Sequence, residues 1–156
     1  MIVRKALTKD TLAMTLLLNE IIAIGGTTAH QDPMSQETVQ HYFVDGAPTI
    51  CCIVAEQEGQ IIGWQAVSWW REEPHIGSFV KPGIQAKGVG AQMFALTRDL
   101  AKAAGLTVIH ASIRADNVPG LAYYAKMGFA DYATDPHFTL NDGTVVGRIE
   151  RRFDLV

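Results

Sequence analysis

Cysteine is scarce in this 156-residue chain: Cys51 and Cys52 stand side by side in an apolar run. Neighbouring residues of a strand point to opposite faces, which argues against an intrachain bridge between them. They are expected to be buried, reduced thiols of a cytoplasmic protein, and no local feature activates either as a nucleophile. Charge is sparse as well, at 19% of residues and a net −3. That balance argues against phosphate-driven binding of nucleic acid. No apolar run is long enough to cross a bilayer and no signal peptide is evident, so no membrane partner is expected. No set of His, Cys, Asp and Glu has metal-ligand spacing, and no metal is expected. Repeats, linkers and low-complexity segments are also lacking. What remains is an ordinary apolar fraction, 48%, enough for one domain over residues 1–156 with a real core.

The punctuation of the chain predicts its elements. Ile2 to Ala6 reads as a strand. Thr8 or Asp10 caps a helix reaching about Ile24, with Leu12, Leu16, Leu17, Ile21 and Ile24 as its apolar face, and Gly25-Gly26 stops it. A polar loop from Thr27 to Met34 leads to Ser35, the cap of a short helix ending near Asp45-Gly46. Thr49 to Gln57 and Ile61 to Trp70 form a hairpin around Glu58-Gly59. Trp64 and Trp70 share one face of the second strand and Trp69 takes the other. Arg71-Glu72-Glu73-Pro74 turns the chain into a further strand, Ile76 to Val80. After a glycine-rich stretch, a helix runs from Val89 to Ala104, with Val89, Met93, Leu96, Leu100 and Ala103 on one stripe. Leu106 to Ile113 is a buried strand. Asp116 or Asn117 caps the next helix, Pro119 fits its first turn and Gly128 closes it. Phe129 to Thr134 and Thr144 to Asp154 are the last strands, around Asn141-Asp142-Gly143. The order is β-α-α-β-β-β-α-β-α-β-β, a mixed α/β pattern.

The most informative stretch is Gln85-Ala86-Lys87-Gly88-Val89-Gly90, between a strand and a helix. Helix N-terminal N–H groups and the helix dipole favour an anion there, and glycines let it approach closely. Gly83 and Gly88 have P-loop spacing, but Val89-Gly90 replaces the Lys and Ser/Thr that motif requires. Met93 occupies the third small position of a dinucleotide fingerprint. What is left is Gln-x-x-Gly-x-Gly after Val80-Lys81-Pro82. This pattern resembles the pyrophosphate loop of the GCN5-related N-acetyltransferases (GNAT). A second stretch agrees, Asn117-x-x-Gly120 followed by Leu121-Ala122-Tyr123-Tyr124-Ala125-Lys126-Met127-Gly128-Phe129. It is similar to the family's later helix, with Ala125 in place of the usual acidic residue. Two motifs in the right order at compatible spacing carry more weight than either alone.

The resemblance implies a mostly antiparallel central sheet flanked by helices, with strands splayed around acetyl-CoA. By it, the backbone at Phe79 and Val80 faces the pantetheine arm and Asn117 hydrogen-bonds that arm. Gln85, Lys87, Gly88 and Gly90 hold the pyrophosphate, with the N–H groups of Ala86, Val89 and Ala91 among the donors. Late strands in this fold often pair across subunits, so a homodimer is a further expectation.

The chemistry implied is acetyl transfer from acetyl-CoA to an amine. An alkyl amine is largely protonated at neutral pH and needs a base before it attacks. The departing thiolate benefits from an acid. Tyr124 matches the family's tyrosine, and a phenol keeps its proton at neutral pH. For the base, His75 titrates near the working pH, and Glu73 or Glu72 could act through water. Trp70-Arg71 and Thr27-Thr28 resemble the phosphinothricin-type branch, in which a Glu stands at the position of His75. On the acceptor side, Arg71 could pair with a carboxylate. Trp70 and Thr28 could line the pocket, and His30 and His137 could reach its mouth from the early and late loops. His41 and His110 are read as packing residues. The leading expectation is a small-molecule amine acceptor, amino-acid-like or xenobiotic. A protein N-terminus or lysine, and a non-catalytic coenzyme A sensor, are the alternatives.

Overall fold

Two mainly apolar stretches buried on both faces at their centres, Thr49–Gln57 (β2) and Gln60–Trp70 (β3), form the hairpin on which the rest is laid. They are followed by Glu73–Val80 (β4), Val108–Arg114 (β5), Ala130–Asp135 (β6) and Arg148–Asp154 (β7), with Ile2–Lys5 (β1) on the near edge. The computed structural model describes residues 1–84 and 88–156, so Gln85, Ala86 and Lys87 lie outside the described residues. The strands form one 7-stranded sheet in the order β1-β2-β3-β4-β5-β7-β6. Every neighbouring pair is antiparallel except β4 and β5. The element order and the mixed, mostly antiparallel sheet are those expected.

Helix Thr11–Ile24 (α1) and the short helix Gln36–Val39 (α2) cover one face. The chain continues from α2 as a π-helical turn, Gln40–Asp45. Ser35 caps α2, its Oγ accepting from Thr38 N at 3.1 Å. Val89–Ala103 (α3) and Val118–Met127 (α4) cover the other face. On the first face Trp64 is 0% exposed. Its ring packs 4.4 Å from Phe79, and its indole N–H donates to Met14 O at 3.1 Å. One side chain thus binds α1 to the strand that carries the site.

Two expectations need correction. The buried side of α1 is Met14, Leu17, Leu18, Ile21 and Ile22, while Leu12, Leu16 and Ile24 are exposed. Thr11 and Thr15 can join the buried side because their hydroxyls donate within the turn, to Thr8 O and Thr11 O, both at 2.8 Å. The last strand begins at Arg148, not Thr144. Gly147 has φ +77, and its N–H turns to Phe138 O at 3.1 Å, so the ladder starts one residue later.

Asp10 does not cap α1. Its carboxylate accepts from Leu7 N at 2.7 Å and takes both ends of Arg4, at 2.8 and 2.9 Å. Arg4, followed by the Leu7 N–H, holds this carboxyl below its ordinary value against the opposing effect of burial. The stability it supplies is complete above the ordinary carboxylate pKa and drains away as pH falls through the lowered folded value. Asp10→Asn is expected to cost about 2 kcal/mol at neutral pH. Urea denaturation checks this, and an unchanged midpoint would show the pair to be idle.

Candidate active site

β4 pairs with β3 along its length, from Trp70↔Glu73 to Gly63↔Val80. It meets β5 only at His75↔His110. Beyond that bridge the two strands part. Lys81 N donates to Ile62 O at 2.8 Å, which fixes the side to which alternate backbone groups turn. By this alternation the N–H and C=O of Ser78 and Val80 face the opened edge. The backbone of Phe79, expected to face the gap, turns to Trp64 on β3 instead. Phe79 reaches the gap through its side chain.

Two cavities follow the gap. The outer one, about 440 Å³, runs from Val89 and Gly90 past Phe79 and Val80 to Asn117 and Tyr123. The inner one, about 170 Å³, lies between β4, β5, α4 and the loop Thr27–His30, and Tyr124 lines it. A larger hollow, about 520 Å³, sits beside α1. It is lined by Arg4 and Asp10, which already satisfy each other, and by none of the α4 residues.

The outer cavity opens on the N-terminus of α3. Gly88 takes a left-handed φ of +84, which turns the chain into the helix. The first intrahelical bond is Gln92 N to Gly88 O, at 2.9 Å. The N–H groups of Val89, Gly90 and Ala91 therefore have no partner within the helix, and the dipole favours an anion there. Those donors, with the open edge of β4, fit a long phosphorylated ligand. A Cβ on Gly90 would lie 2.5 Å from the Tyr123 ring, so glycine is required for α3 and α4 to meet here. Asn117 caps α4, its Oδ1 accepting from Gly120 N at 3.0 Å, and donates to Thr27 O at 2.8 Å. It thereby ties the wall of both cavities together.

A hydrogen-bonded chain runs beneath the inner cavity. Tyr123 OH donates to Gly90 O at 2.8 Å, so its oxygen must accept from Gln65 Nε2, at 3.0 Å. The same Nε2 donates to Ser78 Oγ at 2.8 Å. Ser78 keeps one O–H, and Tyr124 OH lies 2.8 Å from it. When Ser78 donates to Tyr124, the Tyr124 proton is left for the cavity. Burial pushes the Tyr123 phenol up to about 12 and raises Tyr124 as well. Both keep their protons at neutral pH. Tyr123 and Gln65 were not singled out from sequence; the tight contact at Gly90 is the feature that reveals Tyr123.

The parallel bridge also brings two histidines together on the opposite face. Glu73 Oε2 lies 3.4 Å from His75 Nε2 and 3.7 Å from His110 Nδ1. Tyr132 OH is 2.9 Å from His110 Nδ1. His110, expected to be a packing residue, therefore belongs to a polar cluster. Burial, then the neighbouring His110, holds His75 well below its ordinary value, with Glu73 opposing. Both His75 nitrogens lack a hydrogen-bond partner among the described residues, the Glu73 contact being out of line. Trp70 meets the His75 ring edge-on at 4.7 Å, and Arg71 lies 4.1 Å over Trp70.

The sequence model of the acetyltransferase (GNAT) family matches residues 16–129. The chain belongs to this family. The L-methionine sulfoximine/L-methionine sulfone acetyltransferase of Pseudomonas aeruginosa is 26% identical over 119 residues, covering 69% of this chain and 68% of that protein. A Salmonella typhimurium acetyltransferase, solved with its cofactor acetyl-CoA, superposes with a TM-score of 0.84 at 20% identity, covering 100% of this chain and 94% of that one. A Sinorhizobium meliloti phosphinothricin acetyltransferase, solved with acetyl-CoA, gives 0.81 at 18% identity, covering 98% and 87%. These structures establish the shared fold.

In the acetyltransferase the remaining expected residues fall as follows. Thr28 and His30 line the inner cavity, and Thr28 O accepts from Arg114 at 3.2 Å. His30 stands between Phe43 and Phe79, at 6.2 and 6.3 Å. Desolvation, then the charge of Arg148, holds its pKa below the ordinary value. Its loop is tied to the late loop by Asn141, whose N–H donates to Gln31 Oε1 at 2.6 Å and whose Nδ2 donates to Asp32 at 3.2 Å. His137 is exposed on the late loop and lines neither cavity. Burial pushes the Cys51 thiol up to about 11 and raises Cys52 too, leaving both as inert thiols.

Proposed function

We propose that this acetyltransferase moves the acetyl group of acetyl-CoA to the primary amine of an amino-acid-like small molecule, by direct attack in a ternary complex. The observation that carries the reading is the parting of β4 and β5, which joins the N-terminus of α3 to a small inner cavity holding Tyr124. Acetyl-CoA would supply an activated acyl group as its thioester. Val89, Gly90 and Ala91 would receive the pyrophosphate through their N–H groups, and Ser78 and Val80 the arm and the carbonyl oxygen. Gln85 and Lys87 complete the family pattern of the glycine loop. Tyr124 donates its proton to the departing sulfur. Burial raises the phenol, which therefore holds its proton until the sulfur departs.

His75 accepts the proton of the incoming amine. It is neutral at neutral pH, its buried nitrogens are unpartnered, and Ile76, the next residue, lines the inner cavity; Glu73 stands beside it to stabilise the imidazolium and pass the proton outward. The small inner cavity favours a compact acceptor over a peptide. The Pseudomonas relative acts on such compounds, L-methionine sulfoximine and L-methionine sulfone.

Calorimetric titration with acetyl-CoA, followed by a thiol-release assay over a panel of amines, tests the reading. Binding at one site and acceleration by small amino acids and their analogues is the expected result. Acceleration by peptides alone would replace the acceptor class. Binding with no acceleration by any amine would leave a coenzyme A sensor.

A further inference from the structure

The most unusual charge on the acceptor face is Arg148. It is half-buried, yet among the described residues it forms no ion pair and no hydrogen bond, and its Nε is fully buried without a partner. The other buried arginine of this face, Arg114, to which it is paired in register, is held by Asp116 at 2.7 and 2.9 Å. Arg148 instead lies between aromatic rings. Its guanidinium carbon is 3.9 Å over Phe138 and 5.5 Å from Trp70. Glu150 and Asp135 attract it from a distance but neither pairs with it, and a desolvated cation without a paired counter-charge is costly. Arg71, on the other side of Trp70, adds repulsion.

Stacking on rings uses the faces of a guanidinium and leaves its in-plane N–H fork free. A planar carboxylate matches that fork with two parallel hydrogen bonds. The position suits an acceptor. Trp70, the neighbour of Arg148, touches His75. The charge of Arg148 also reaches His30, which lines the inner cavity. We propose that Arg148 binds the carboxylate of an α-amino-acid acceptor, with Phe138 and Trp70 holding the guanidinium flat. An α-amino acid separates its carboxylate from its amine by one carbon, and Trp70 is the ring that Arg148 and His75 share. The inference rests on the proposed function and names its acceptor class more closely.

The test uses matched acceptors: L-methionine sulfone, its methyl ester, and the decarboxylated amine 3-(methylsulfonyl)propylamine. Wild-type protein should prefer the acid, and Arg148→Ala should raise its KM at least tenfold. The same variant should leave the KM of the ester and the amine unchanged. Arg148→Lys keeps the charge without the fork and should fall between. Because the readout is a ratio of acceptors within one variant, loss of folded protein does not imitate it. Calorimetry of L-methionine sulfone on coenzyme A-saturated protein should show the same loss. Wild-type protein that takes ester and acid equally, or an Arg148→Ala variant that weakens all three alike, would overturn the carboxylate anchor alone. Failure to acetylate any amine would overturn the proposed function with it.

Discussion

Tyr124→Phe is expected to lower turnover by about 10²–10⁴-fold, the range lost when a positioned acid is removed. The substitution is nearly silent elsewhere. The ring keeps its contacts, 5.2 Å from Phe129 and 5.0 Å from Tyr123. Only the hydroxyl goes, and with it the contact to Ser78 at 2.8 Å. Acetyl-CoA affinity should stay within a few-fold of wild type, because the outer cavity does not include Tyr124. Stability should fall by about 1 kcal/mol, the net worth of one hydrogen bond. Single-turnover measurements with a saturating amine separate the chemical step from binding. Undiminished turnover would mean that the thiolate leaves without this proton. Weaker acetyl-CoA binding with normal turnover would make Tyr124 a wall of the cofactor site.

Gly90→Val attacks the other half of the site. A Cβ there would stand 2.5 Å from the Tyr123 ring, well inside contact distance. The ring cannot yield freely, since Tyr123 OH is fixed to Gly90 O and to Gln65 at 2.8 and 3.0 Å. Overpacking of this kind costs about 2–3 kcal/mol. Here much of it should appear as displacement of α3 from the cavity mouth, raising the acetyl-CoA Kd about thirty- to hundredfold. A double-variant cycle isolates the cause. If the clash with Tyr123 is the mechanism, adding Gly90→Val to Tyr123→Ala should cost little more. An equal loss on both backgrounds would assign the effect to the helix N-terminus itself.

Glycines, caps and short apolar runs made most of the fold legible in the sequence. Gly25, Gly88 and Gly128 adopt positive φ at helix ends, and Ser35 and Asn117 cap as expected. The buried side of α1 was not legible, for a physical reason. Its 14 residues are apolar nearly all round, so periodicity cannot choose between two stripes, and packing on the sheet decides. The outer cavity follows from two local motifs. The proposed acceptor wall does not, because its contacts cross the sheet. His110 joins His75 through a single parallel bridge. Arg148 meets Phe138 and Trp70 from widely separated segments. Nothing adjacent to either residue announces it.

The bond from Asn141 to Gln31 and Asp32 has a consequence for how this protein could change. The proposed donor site is made from strand edge and helix terminus, which tolerate little alteration. The proposed acceptor pocket is walled by the early loop, Thr27 to His30, which the late loop braces through side chains. New acceptors can therefore be explored by editing the loops, while the machinery that handles acetyl-CoA stays fixed. On this reading one half of the reaction is hard-wired and the other is modular.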